Sequence, residues 1–368
     1  MIWRPRGADA ATGAVLLTLR FSSERRLSTF IPPDGNGAPV RRYSELRRDP
    51  LTRRSGRVAH FVGFKLVPPD ISRVVEASRP GCPFCPDRIL EVTPRLDPAI
   101  VAEGLIRAGE ATLFPNISPY DRHSVVAVLT RDHYVSGGRF TSTQLADGLQ
   151  TCIDYFRALP RVPRGTHSVV TWNYMPPAGA TQVHAHLQAF STNRPGSLLE
   201  EEVRQSRAFW RRQGQTFWGE LAEAEKSRGE RFVGQGHHTV WLTSFVSRSV
   251  VGDLLTIFPN RAYLTDLTRA EVVEFSSGLQ LALAAQYDEG VRAFNLAFYS
   301  APSGDPNPHF WLHTRLSPRV YFNPAIEGSD ATAWQHLLDE PFMVRSPETL
   351  AARLRPRFQG DFPPPLPQ

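Results

Sequence analysis

Of the 368 residues, 41% are hydrophobic, with aromatic residues at 10% of the chain. That is enough to bury a substantial core and excludes a disordered chain. The length favours two domains of roughly 100–200 residues or one enlarged one. Lysine and arginine number 42 against 36 aspartates and glutamates, a net charge of +6 that permits an anionic ligand and demands none. All basic residues but Lys65 and Lys226 are arginine, a bias read first as that of a GC-rich genome, although arginine is also the better bidentate phosphate ligand.

Three cysteines make no disulfide framework, and a reducing, cytoplasmic setting is expected. The N-terminal apolar stretch AVLLTLRF is interrupted by Arg20 and falls well short of the roughly 20 apolar residues of a membrane span. Residues 1–40 read as a flexible arm. Residues 41–57 hold seven arginines around Asp49-Pro50 and read as a solvated or phosphate-facing loop, because only Tyr43 supplies the aromatic interleaving of a nucleic-acid arm. The β-branched run 123–129 predicts a buried strand. Leu145, Leu149, Cys152, Ile153 and Phe156 then recur at helical spacing over 141–159, which leaves Cys152 as a core residue. A strand over 167–174, a Pro/Gly loop over 176–182 and a strand over 183–190 follow.

Residues 201–231 read as a charged helical connector with aromatic spots at Phe209, Trp210, Phe217 and Trp218. The earlier order then returns: a strand over 253–260, a helix over 267–287 capped by Thr268, a strand over 294–302, and a Gly/Pro loop into a strand-like segment over 309–322. From His133 to His184 is 51 residues and from Asn260 to His313 is 53. A strand–helix–strand–loop–strand unit recurring at that interval predicts a duplicated α+β chain. Its expected parts are a catalytic unit over 41–195, a connector over 196–235, a degenerate second copy over 236–355 and a Pro-rich tail over 356–368.

The chemistry concentrates in V-H-A-H-L-Q, residues 183–188. On a strand, His184, His186 and Gln188 share one face, a row able to handle a phosphate or a metal. Cys82-Pro83-Phe84-Cys85 is half of a tetrahedral zinc site, and His133 and His184 are the histidines able to complete it; a redox pair or two unrelated thiols is the other reading of a lone CxxC.

The combination resembles the histidine-triad superfamily, and within it the galactose-1-phosphate uridylyltransferase-like (GalT-like) branch, whose members carry two such domains in one chain. RRDPLT (47–52), CPFC, LFPNISPYDRHSVV (113–126), TRDHY (130–134), WNYMPPAGATQVHAHLQ (172–188) and RSPETLAARLR (345–355) match its blocks in order, over roughly residues 41–355. The resemblance implies two tandem α+β units, each an antiparallel sheet with packed helices. It implies structural zinc held by Cys82, Cys85, His133 and His184, with His186 as nucleophile and Gln188 on the phosphoryl oxygens. Asn173 and Thr181 would contact phosphate, and Asn116 would face the nucleotide. The chain would then be a nucleotidylyltransferase moving a nucleoside monophosphate, UMP first, between a nucleotide sugar and a sugar phosphate through a nucleotidyl-histidine. A homodimer without nucleic-acid or membrane partners is implied.

The chain also departs from that pattern. Ala185 and Leu187 stand where the family has Pro and Gly, on the face opposite the histidines. The family's phosphate-binding arginines have only Arg73 and Arg79 as loose counterparts. His313 and Arg315 stand where a second metal site is expected, with Tyr299 at another of its positions, so that site near His309 and His313 is expected to be lost and Arg315 to meet an anion or a carboxylate. Residues 320–344 lack the hexose-contacting pattern, which points away from galactose. A phosphorylase or hydrolase of nucleotide sugars or dinucleoside polyphosphates uses the same histidine and is the alternative; a zinc-stabilised binding protein is the reading from outside enzymology, opposed by the intact His186–Gln188 pair.

Overall fold

The computed structural model describes residues 19–33, 37–59, 61, 64–304, 306, 308–360 and 362. The N-terminal portion builds β1 (Ser22–Phe30), β2 (Val40–Arg48) and β3 (Ser55–Val58), then α1 (Ser72–Ser78) and α2 (Ile89–Val92). The first repeat follows as β4 (Ile106–Ala108), β5 (Ala111–Pro115), β6 (Arg122–Val128), α3 (Ser142–Ala158), β7 (His167–Tyr174) and β8 (His186–Thr192). Helices α4 (Ser197–Gln213) and α5 (Phe217–Arg228) connect it to β9 (Phe232–Gln235), β10 (Val240–Thr243), β11 (Leu254–Ile257), α6 (Arg269–Asp288), β12 (Ala293–Tyr299) and β13 (His313–Arg319). The chain ends with β14 (Tyr321–Asn323), β15 (Gly328–Ser329), α7 (Ala333–Leu337), β16 (Phe342–Met343) and α8 (Pro347–Phe358).

Ten strands form one sheet in the order β4-β5-β6-β8-β7-β12-β13-β11-β10-β9. All its pairings are antiparallel. The α+β duplication expected from the sequence is therefore present, and the two copies share one continuous sheet, joined where β7 pairs with β12. The equivalence reaches single bonds. The β8 position His186 lies opposite Val128, and His313 of β13 lies opposite Ile257. Leu129 N–H donates to the Ala185 carbonyl, and Phe258 N–H to that of Leu312. The long helix of each copy, α3 and α6, starts with a capping box, Thr141 with Gln144 and Thr268 with Glu271, which satisfies otherwise orphaned N–H groups.

Side-chain alternation along the strands divides the two faces. Val170, Trp172, Leu187, Ala189, Leu296, Phe298 and Leu316 point to one face, where with Leu149, Ile153, Phe275 and Leu279 of α3 and α6 they form the main core. His186, Gln188, Thr171, Asn173, Asn295, Ala297, Tyr299, His313 and Arg315 occupy the other. That face is covered at one end by Phe84 and Ile89 against Phe114, Val126 and Val128, and at the other by α4 and α5 through Leu199, Phe217, Trp218 and Leu221. The stretch between stays open.

Three expectations are corrected. Residues Ser22–Phe30, assigned to the flexible arm, pair along their whole length with β2; residues 1–18 and the PPPLP tail lie outside the described residues. The 41–57 segment is not a loop, because β2 and β3 run through it. β1 is exposed along nearly its whole length and β2 over residues 41–43, so that part of the hairpin lacks the apolar alternation that reveals a half-buried strand. Finally, α8 runs to Phe358, past the expected boundary at 355, because Leu350, Leu354 and Phe358 are buried at helical spacing.

Candidate active site and metal centre

The turn between α1 and α2 carries both cysteines. Cys82 N–H donates to Arg79 O, and the N–H groups of Arg88 and Ile89 donate to Cys85 O. The bend after β6 brings in His133 and the bend before β8 brings in His184. The ligand atoms of Cys82, Cys85, His133 and His184 all lie within 4.8 Å of one another. Cys82 Sγ is 3.7 Å from His184 Nδ1, Cys85 Sγ is 3.8 Å from the same nitrogen, and Cys85 Sγ is 3.5 Å from His133 Nδ1. Tetrahedral zinc with the usual Zn–S and Zn–N lengths separates sulfur and nitrogen by about 3.5 Å, so the set fits that ion.

The outer contacts fix the ring orientation. His184 Nε2–H donates to Thr130 O at 2.7 Å. His133 Nε2 lies 3.0 Å from Ser78 Oγ, whose own hydrogen goes to Val75 O, so the ring must donate there. Both Nδ1 lone pairs are thereby turned toward the cysteines, the arrangement expected of metal-binding histidines. Burial pushes the His184 pKa down to about 4 and lowers that of His133, keeping both rings neutral. Burial and the neighbouring Cys82 push the Cys85 thiol up to about 11, so without a cation the Cys85 thiolate is disfavoured.

The sequence reading put His184 and His186 side by side on a strand. The structure corrects this: His184 sits in the bend and β8 begins at His186, which lets the first ring turn to the cysteines. The His184 carbonyl instead accepts the Nδ1–H of His186 at 2.8 Å. That tautomer leaves a lone pair on His186 Nε2, and burial lowers the ring's pKa, keeping it neutral. Phe84, between the two cysteines, packs edge-on against the His186 ring with centroids 5.2 Å apart.

Gln188 follows on the same face, opposite Thr171, and Asn173 lies two residues farther along β7. Asn295 of β12 braces Asn173: its Nδ2 donates to Asn173 Oδ1 at 2.7 Å and to Ala178 O at 2.8 Å. Arg319 in turn donates to Asn295 Oδ1. Thr181 is exposed in the loop between β7 and β8. Asn116 lies past the end of β5, where its Oδ1 accepts from Ser118 N–H, so that oxygen is engaged in a local turn. Arg79 lines the surface hollow beside Cys82, Cys85 and His133; Arg73 is exposed on α1.

The second repeat repeats the geometry with other chemistry. His313 Nδ1 lies 3.0 Å from Trp311 O, matching His186 on His184. Its Nε2 faces Glu202 Oε2 at 3.1 Å, and Glu202 Oε1 accepts from Arg315 at 2.7 Å. His313 is sandwiched between Trp218 and Tyr299. The expectation that Arg315 meets a carboxylate is met, its partner being Glu202 of α4. Burial raises the Glu202 carboxyl, but Arg315 and His313 outweigh it and hold the pKa at about 2. His309 lies outside this cluster.

Sequence reasoning missed Phe84, Asn295, Glu202, Ser78 and Thr130. Glu202 had a visible signal: Leu199, Glu202, Ser206 and Phe209 recur at helical spacing and are all buried. A backbone carbonyl such as Thr130 O leaves no trace in sequence.

No family model matches the chain. An uncharacterized protein of Archaeoglobus fulgidus is 29% identical over 283 residues, 76% of this chain and 82% of that protein. Among solved structures, a GalT-like protein from Arabidopsis thaliana superposes with a TM-score of 0.66 at 16% identity, covering 85% of this chain and 98% of the other. An ADP-glucose phosphorylase from the same plant, with bound ADP-glucose, gives 0.65 at 16% identity, and a uridylyltransferase gives 0.61 at 18%; coverage is again 85% and 98% in both cases. The chain shares its fold with these proteins. Its two-unit architecture is similar to that of the GalT-like protein over 85% of the chain.

Proposed function

We propose that the protein is a nucleotidyltransferase working through a covalent nucleotidyl-His186. The observation that carries the reading is the His186 tautomer: Nδ1–H is committed to the His184 carbonyl, so the nucleophilic lone pair is on Nε2, beside Gln188 on the open sheet face. His186 Nε2 attacks the α-phosphorus of a nucleoside diphosphate sugar. The bond from that phosphorus to the bridging oxygen breaks, and the sugar 1-phosphate departs with the electron pair. An oxygen of a second phosphate then attacks the same phosphorus, and the nitrogen–phosphorus bond breaks. Charge spreads over the nonbridging oxygens in both steps, so fixed donors such as the Gln188 and Asn173 amides serve better than a mobile acid. A zinc ion, when bound, supplies a structural anchor for the cysteine turn and His184; His184 in turn places the carbonyl that orients His186.

The names of two structural neighbours, a uridylyltransferase and an ADP-glucose phosphorylase, support nucleotide sugars as donors. UMP is the first nucleotidyl group to test, with a sugar phosphate other than galactose 1-phosphate as acceptor and a cytoplasmic homodimer as the working state. A phosphorylase reading differs only in taking inorganic phosphate in the second step, and product analysis separates the two. The test is exchange: labelled sugar 1-phosphate should enter the nucleotide sugar with no second acceptor present, and His186→Ala should abolish it. Exchange that requires both substrates together would contradict the double displacement.

A further inference from the structure

The four-stranded sheet β1-β2-β3-β16 ends in a two-stranded ribbon. β3 pairs with β2 only over residues 45–48, whereas β1 follows β2 out to Val40. Five rungs, from Arg26 opposite Ser44 to Phe30 opposite Val40, are therefore held by one strand pairing alone, and β1 is exposed at every one of them. A hairpin with both faces wet is marginal by itself, so a partner laid on it would supply what the core does not.

Its chemistry is that of a polyanion-binding surface. Residues 22–48 contain six arginines against Glu24, Asp34 and Glu45, a net +3 in 27 residues and half the net charge of the whole chain. Glu24 is paired with Arg26, and Glu45, across from Arg25, with Arg47; Arg41 and Arg42 have no ion pair among the described residues. Opposed residues share a face of the ribbon. One face carries Arg41, then Tyr43 across from Leu27, then Arg25; the other carries Phe30, then Arg42, then Arg26. Successive members stand one step of two residues, about 7 Å, apart, and Leu27, Phe30 and Tyr43 are each about half exposed. β1 thus supplies the apolar and aromatic interleaving that residues 41–57 lack on their own.

A second copy of this ribbon would set arginine against arginine. An anionic lipid surface calls for apolar residues segregated from the basic ones, whereas here the two alternate, and the segment between the strands includes Asp34. Alternating guanidinium groups and rings suit a row of phosphates with bases beside it. The rings need base faces that a duplex hides, which selects a single strand, and RNA is the polynucleotide recognised in that form. We propose that the β1–β2 ribbon binds single-stranded RNA, with phosphates on Arg25, Arg26, Arg41 and Arg42 and bases on Tyr43 and Phe30. The family resemblance in the sequence, which implies no nucleic-acid partner, begins at residue 41 and leaves β1 outside it. The inference is independent of the proposed function.

The test is fluorescence anisotropy of a short labelled single-stranded RNA of mixed sequence with the full chain, over a series of salt concentrations. Four phosphate contacts predict a slope of log affinity against log salt of about −3. Arg41→Gln/Arg42→Gln should weaken binding by about tenfold or more at low salt and flatten that slope by about 1.4. Tyr43→Ala should weaken it by about fivefold or more at unchanged slope. Ser28→Arg should tighten binding, a gain that misfolding cannot produce, and the duplex of the same length should bind less tightly than the single strand. No binding at low salt, a slope that Arg41→Gln/Arg42→Gln leaves unaltered, or tighter binding of the duplex, of single-stranded DNA or of phosphatidylserine vesicles would overturn the inference.

Discussion

Replacing Glu202 by glutamine is expected to be among the most destabilising single-atom changes in the protein. The carboxylate is 1% exposed and carries a charge-assisted bond from Arg315 at 2.7 Å, with His313 at 3.1 Å. Glutamine keeps the shape and removes the charge, leaving the largely buried Arg315 guanidinium without its ion-pair partner and to the lesser influence of Asp49 and Asp253; among the described residues its Nε already has no hydrogen-bond partner. Breaking a buried pair in this way costs about 3–5 kcal/mol. For a chain of this length the unfolding entropy is about 0.8 kcal/mol/K, so Tm should fall by about 4–6 °C in a calorimetric scan. The double variant Glu202→Gln/Arg315→Met should recover most of the loss, since a buried pair exchanged for well-packed groups is often near neutral. A single-variant loss below about 1 kcal/mol, or a double variant that merely adds two losses, would refute the account of this cluster as a charge-matched unit that replaces catalytic chemistry in the second repeat.

Other outcomes follow from the same structure. Cys82→Ser should abolish stoichiometric zinc binding measured by elemental analysis; unchanged zinc would remove Cys82 from the site. Burial raises the Glu348 carboxyl, but bonds from Arg47 and Arg231 outweigh it and hold the pKa at about 2. A depressed carboxyl stabilises the fold fully above its unfolded value near 4.3 and loses that contribution as the pH falls toward 2, so acid unfolding of Glu348→Gln should depend less on pH in that window. A Cβ at Gly278 of α6 would run into the buried Trp241 ring, and Gly278→Ala should lower stability by about 1–3 kcal/mol in denaturant titration. Asn295→Ala removes the brace on Asn173 and should reduce kcat of the transfer by about tenfold or more, with little change in Tm; an unaltered kcat would make Asn295 merely structural.

The gathering of Cys82, Cys85, His133 and His184 was legible because two thiols at a CxxC spacing demand partners and two histidines follow them in the first repeat unit. The shared face of His186 and Gln188 was legible from the two-residue alternation of a strand. His184 was expected within the strand because alternation along VHAHLQ suggests a continuous one, whereas the bend before His186 is fixed by contacts from Thr130 and the cysteines, which come from distant segments; its predicted place in the metal set holds. The β1–β2 hairpin escaped detection because β1 and the outer part of β2 are exposed on both faces and carry no burial pattern; Leu46 and Arg47 are buried only at the inner end. The duplication could be read from spacing, but the joining of the copies through β7 and β12 could not, since antiparallel pairing between segments more than 100 residues apart is set by packing of Trp172, Tyr174 and Phe294.

The central claim is a covalent bond from His186 Nε2 to a nucleotidyl phosphorus, and intact-mass analysis after incubation with UDP-, ADP- and GDP-sugars tests it most directly. The account predicts a mass increase of one nucleoside monophosphate with at least one donor, acid-labile and absent in His186→Ala. No adduct with any donor, or one that persists in His186→Ala, would contradict it.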